Sequence, residues 1–148
     1  MKRFNFSLEK VLKLRKYREE EARIELGRAV GVLAQIENNI KKTAVIRSNA
    51  ARQRFDTGNA GYGLPAMQSW ENYINWLDRE TERLLREAAQ AELIVQEKRE
   101  SYLAASRDLK VMDKLKEIRE KEYGREMRAG ETRELDDIFR HKGAELAL

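Results

Sequence analysis

Apolar residues recur along this chain in two interleaved series, each repeating every seven residues. In the first half one series is Leu8, Arg15, Ala22, Ala29, Ile36, Thr43; the other is Leu12, Glu19, Leu26, Leu33, Ile40, Arg47. The run from Ala22 to Ile40 is apolar at every such position, while Arg15, Glu19 and Arg47 interrupt it towards the ends. The second half repeats the pattern with Met67, Ile74, Thr81, Ala88, Val95, Tyr102, Leu109 and with Trp70, Leu77, Leu84, Ala91, Lys98, Ala105, Met112. Twelve of these fourteen positions are apolar. A narrow seam with a strict seven-residue period is the signature of helices that supercoil left-handedly about each other. The interruptions at Arg15 and Glu19 predict that the first two heptads pack most loosely.

The ends of the helices are also legible. Ser7 suits an N-cap, Glu9 falls in the electropositive first turn, and Phe6 is placed to staple onto Val11. No proline interrupts Leu8 to Asp56, and the isolated Gly27 and Gly31 only weaken the stretch. Those residues would form a rod of about 70 Å. The break comes at "DTGNAGYGLP", which holds three of the eight glycines and the only proline. It lacks the lysine and spacing of a phosphate-binding G-x-x-x-x-G-K-[ST] loop, and no strand pattern precedes it. Between two amphipathic helices it reads as the turn of an αα-hairpin, with Pro65 in the first helical turn.

The predicted fold is therefore all-α: a long antiparallel two-helix coiled coil forming a single domain over 1–148. Helix one covers about 7–56, the turn 57–65 and helix two about 66–140. Folding back about residue 61 pairs position i with roughly 122 − i, so Leu8 faces Lys114. The second helix then overhangs the first from about residue 113, where the seam also decays into "REKEYGREMRAGETRE". A head-to-head dimer would show the same seam pattern, and only the glycine-rich break favours the hairpin.

Composition narrows the class. Charged residues make up 38% of the chain and apolar residues 41%, a balance that suits long helices better than a wide core. No stretch approaches ~18 consecutive apolar residues, and the N-terminus lacks the apolar core of a secretory signal. The absence of cysteine excludes a disulfide scaffold. Asn5-Phe6-Ser7 is then a chance sequon. His141 is the only histidine, so neither a histidine-based triad nor a multi-histidine metal site is available. The carboxylate runs Glu19 to Glu21 and Asp136-Asp137 read as solvated helix faces, and a two-helix rod offers no deep pocket. The expectation is no enzyme, no cofactor and no metal.

Charge is unevenly placed. Residues 1–57 carry 14 bases against 7 acids, and residues 58–148 carry 16 against 19. The basic stretch Lys10, Lys13, Arg15, Lys16, Arg18 is interleaved with Val11, Leu12 and Leu14, which a groove-reading helix would not want. It suits steering onto an acidic protein surface better than nucleic acid. After the turn, Tyr73 and Trp76 fall outside the seam. They either broaden the core near the hairpin tip or form an exposed aromatic patch that anchors an interface.

Three segments carry a family resemblance: the opening "FNFSLEKVLKLRKYREEEARIELGRA", the middle "FDTGNAGYGLPAMQSWENYINWLDRE" and the tail "KLKEIREKEYGREMRAGETRELDDIF". In order and length they resemble the flagellar FliJ proteins over almost the whole chain. The resemblance implies a component of the flagellar type III export apparatus, similar to the central stalk subunit of rotary ATPases and acting in motility. Its implied partners are the hexameric export ATPase, the cytosolic domain of the export gate, the ATPase regulator and the export chaperones. Its implied location is the cytoplasm, peripheral at the cytoplasmic face of the inner membrane. By the same analogy the ring-facing end comprises residues 1–20 and 113–140, with Arg15, Lys16, Arg18, Leu115, Ile118 and Arg119 as contacts. The family's gate contacts fall on Val45, Asn49, Tyr73 and Leu77, with Trp76 beside them and Asn38 and Lys42 further along the first arm. Without the resemblance, the pattern supports a generic coiled-coil scaffold and, less well, a basic nucleic-acid-binding coiled coil.

Overall fold

The computed structural model describes residues 3–147. Two α-helices account for nearly all of them: α1, Glu9–Asn59, and α2, Leu64–Leu146. They pack against each other antiparallel, as a helical hairpin coiled coil. The chain divides into two compact units, one formed by Met1–Glu20 with Ala104–Leu148 and the other by Glu21–Leu103.

The second unit contains the turn, and its chemistry explains the reversal. Gly61 adopts φ 75° and Gly63 φ 40°, a region that costs an L side chain ~1–2 kcal/mol. With Gly61 left-handed, the Tyr62 N–H donates to the Thr57 carbonyl and the Gly61 N–H to the Gly58 carbonyl. Those two bonds satisfy carbonyls that the end of α1 would otherwise orphan. Gly58 lies close to α2: a Cβ there would come within 3.3 Å of the end of the flexible Met67 side chain, which would have to yield slightly. Pro65 sits one residue inside α2, where its missing N–H breaks no helical bond.

The seam follows the heptads closely. All fourteen of the α2 positions named above are buried or half-buried, with Leu77, Leu84, Ala91 and Val95 deepest in this unit. On α1 the same holds except at Arg47, whose exposed guanidinium leaves the seam for Asp78. The register is slightly displaced from the one expected. Arg54 meets Glu71, Arg47 meets Asp78 and Glu25 meets Lys98 in this unit, so position i faces roughly 124 − i. The displacement follows from α1 running on to Asn59, which carries the reversal towards the Gly61–Gly63 turn.

In the first unit the expected looseness is corrected. Leu12 is 1% exposed, the most fully buried large side chain among the described residues. It packs with Phe6 and Met112, and Phe4, Leu8, Leu109 and Leu115 surround that cluster. The two leader phenylalanines fold over the seam and supply a third layer that a bare helix pair lacks. The staple therefore closes onto Leu12 and Met112, while Val11 stays 37% exposed. The first helical bond runs from the Leu12 N–H to Leu8, and the Glu9 N–H donates to the Phe6 carbonyl, so α1 starts at Glu9 and Leu8 takes the cap position anticipated for Ser7. Arg15 reaches Asp108 at 2.8 Å, and Glu19 is buried with an electrostatic or hydrogen-bonding partner. Polar residues in the seam are tolerated here because each is engaged.

Pairing also extends beyond residue 113. Lys116 meets Glu9, and the Phe4 ring lies 5.5 Å from that of Tyr123. Beyond that contact Gly124, Met127 and Gly130 are still half-buried, and every residue from 131 to 147 is exposed.

Candidate partner-binding surfaces

The residues expected to meet partners fall into two groups, one in each unit. In the second unit, Trp70, Tyr73 and Trp76 succeed one another at three-residue spacing on α2. Trp70 meets Tyr73 edge-on at 6.3 Å between ring centroids, and Tyr73 stacks on Trp76 at 6.1 Å and 9°. The half-buried Trp70 roots the ladder in the seam, while Tyr73 and Trp76 are 41% and 50% exposed. Offset aromatic contacts of this kind hold rings in place at little entropic cost. The ladder thus presents a preformed apolar surface.

The other residues expected beside it separate. Val45 is 61% exposed and with Ile46, Lys41 and Lys42 lines a shallow apolar depression on α1. Asn49 is exposed on the same helix, as are Asn38 and Lys42. Leu77 is only 2% exposed and belongs to the packed seam, so it is not accessible to a partner. A polar cleft beside them, lined by Arg47, Arg54, Glu71 and Asp78, is closed electrostatically by its own cross-helix ion pairs.

In the first unit, Lys16, Arg18 and Arg119 are exposed and Ile118 is 44% exposed. Arg15 and Leu115 serve a different purpose: the first is held by Asp108 and the second packs against the Leu12 cluster. The single helix beyond Tyr123 adds Leu135, Ile138 and Phe139, all more than half exposed. Its charges are satisfied locally or solvated. His141, for example, lies 4.0 Å from Glu145 and is largely exposed.

The ionisable groups that depart from ordinary behaviour are all surface pairs. A hydrogen bond from Arg83 holds the Glu80 carboxyl below the usual carboxylate range, and one from Lys121 does the same to Glu117. No group of carboxylates or histidines among the described residues could hold a metal ion. No helix among them is long and apolar enough to cross a membrane. Sequence reasoning missed two features here: the Phe4–Tyr123 closure, and the exposure of Phe55, Tyr62 and Leu64 around the turn. The Phe-x-Phe leader was a usable signal for the first.

Fold and surfaces together define an antiparallel α-helical hairpin whose accessible chemistry is that of binding. A family model described as Flagellar FliJ protein matches residues 4–144. The chain belongs to the FliJ family, a non-catalytic component of flagellar protein export. No curated protein and no solved structure matches it.

Proposed function

We propose that this protein binds the hexameric flagellar export ATPase as a central stalk, promotes assembly of the ring and couples it to the export gate. The observation that carries the reading is the first unit, in which Phe4 and Phe6 lock the start of α1 onto α2. Past Tyr123 the same helix goes on, and from 131 to 147 every residue is exposed. A firmly closed base with a single helix projecting from it suits insertion into a ring. Lys16, Arg18, Ile118 and Arg119 are the accessible contacts, with Arg15 and Leu115 shaping the base. In the second unit the Tyr73–Trp76 ladder, with Val45 and Asn49 on α1, takes the cytosolic domain of the gate. The ATPase regulator and export chaperones complete the partners, and the protein works in the cytoplasm at the face of the inner membrane.

Hydrolysis of ATP by the matching export ATPase, measured over a range of ATPase concentrations, tests this. The full chain should stimulate at low concentration, where ring assembly limits the rate. A chain ending after Tyr123 keeps the Phe6–Leu12–Met112 cluster and should not stimulate. Absence of stimulation by the full chain would refute the stalk reading. For the gate, Tyr73→Ala with Trp76→Ala should weaken binding of the gate's cytosolic domain while helicity is retained. Unchanged affinity would move that contact elsewhere.

A further inference from the structure

The turn end of the second unit combines two properties found together nowhere else among the described residues. In a chain that is 38% charged, residues 57–70 carry no charge at all. Up to Leu77 the only one added is Glu71, which is held by Arg54 at 3.7 Å. In the same place three large apolar side chains face solvent: Phe55 at 67%, Tyr62 at 69% and Leu64 at 81% exposure. The Met67 side chain lies close to Gly58, while Tyr62 and Leu64 stay in solvent. Phe55 lies one helical turn before the end of α1, within about 6 Å of the turn along the helix axis.

We propose that this tip is an interfacial anchor that inserts into the headgroup layer of an anionic lipid bilayer. A convex end with protruding apolar side chains penetrates a soft interface, where a protein groove would demand a shaped complement. Aromatic residues with a polar handle favour the headgroup depth, and Tyr62 supplies one at the apex. Insertion strips water from everything that enters, which a charge would oppose; residues 57–70 have none, and the exposed Asp56 beside Phe55 marks the depth at which insertion stops. Just behind it Arg52 is exposed and makes no ion pair among the described residues, about 10 Å from the end of α1. That guanidinium is within a Debye length of headgroups contacted by the tip and favours an anionic surface, while the exposed Asp56 four residues further on opposes it in part. Such an anchor is reversible, since three side chains fall far short of a spanning helix.

The inference is independent of the export assignment, and its primary readout, vesicle binding, uses no export component. Because the chain has no cysteine, Tyr62→Cys creates a single site for a nitroxide label, and Val111→Cys provides an exposed reference site in the first unit. The labelled full-length proteins are mixed with vesicles of phosphatidylcholine, with or without phosphatidylglycerol. On anionic vesicles the label at 62 should become more accessible to oxygen and less accessible to a water-soluble nickel chelate, while the label at 111 stays aqueous. The unlabelled Phe55→Ser, Tyr62→Ser, Leu64→Ser variant should keep its helicity and partition about tenfold more weakly. If that variant loses helicity, Leu64→Ser alone replaces it in the same assay. Arg52→Glu should reduce the preference for anionic vesicles. Failure to bind vesicles at low salt overturns the proposal. So does binding with the label at 62 still in water, which would indicate adsorption through basic residues of α1. Serine variants that bind vesicles normally but lose the gate's cytosolic domain would assign the tip to a protein partner and equally overturn it.

Discussion

In the first unit Phe4 and Phe6 leave the helical path and cover the seam over Leu12 and Met112; in the second, Phe55, Tyr62 and Leu64 are left in water around the turn. Both regions have the same raw material, two antiparallel helices and a few large apolar side chains close to a helix end. The difference lies in what is available to cover them. A pair of helices shields only the two-in-seven positions between its members, and everything else stays in contact with solvent. A short leader adds a third layer and takes Leu12 to 1% exposure. The turn, with glycines at 58, 61 and 63, has no side chains to spare for that purpose. Closure in one unit and exposure in the other therefore follow from local covering, with apolar content similar in both.

The largest expected effect tests that covering directly. Leu12→Ala should cost about 3 kcal/mol in urea unfolding, within the range for a fully buried leucine that leaves a cavity. Leu84→Ala in the second unit, 5% exposed and covered by one partner helix, should cost about 2 kcal/mol because its site can collapse more readily. Equal losses would mean that the leader adds no packing of its own. Next, Gly61→Val should destabilise by about 1–2 kcal/mol, since a branched side chain is forced to a φ of 75°. Gly27→Val, with nothing within 4 Å of a Cβ and no unusual φ, serves as the control and should change stability much less.

Smaller still is the coupling of Arg15 to Asp108, whose side chains are 34% and 56% exposed. A double-mutant cycle should return less than ~1 kcal/mol, and added salt should diminish it. The least effect comes from pH. Glu80 and Glu117 have folded pKa values below those of the unfolded chain, because Arg83 and Lys121 respectively donate to the charged form. Their contribution is complete above the unfolded carboxylate pKa and is lost as pH falls through the depressed folded value. Glu80→Gln with Glu117→Gln should flatten the acid limb of helicity against pH slightly. An unchanged limb would show that the pairs are fully screened.

Much of this was legible before any coordinates. The heptads named the α2 seam position by position, and the breaker between Asp56 and Pro65 located the reversal. What escaped were quantities that depend on the residue across the seam. The pairing register differs from the expected one by about two residues, because Thr57 to Asn59 continue the helix into the turn. Glu19 looked like a defect and is instead buried with a partner. Among the candidate contacts, Tyr73 and Trp76 are exposed as an interface would need, whereas Leu77 is closed off by the seam it belongs to.

By itself the sequence determined that this chain makes two long helices, where they reverse and which face of each is turned inwards. Periodicity and backbone conformational preference are properties of a segment, so a segment suffices to read them. The tertiary structure alone decided the pairing register, the sealing of Leu12 by Phe6, the reach of α2 past Tyr123 and the residues left to meet a partner. Burial is a relation between distant parts of the chain: a side chain is covered only when another segment arrives to cover it.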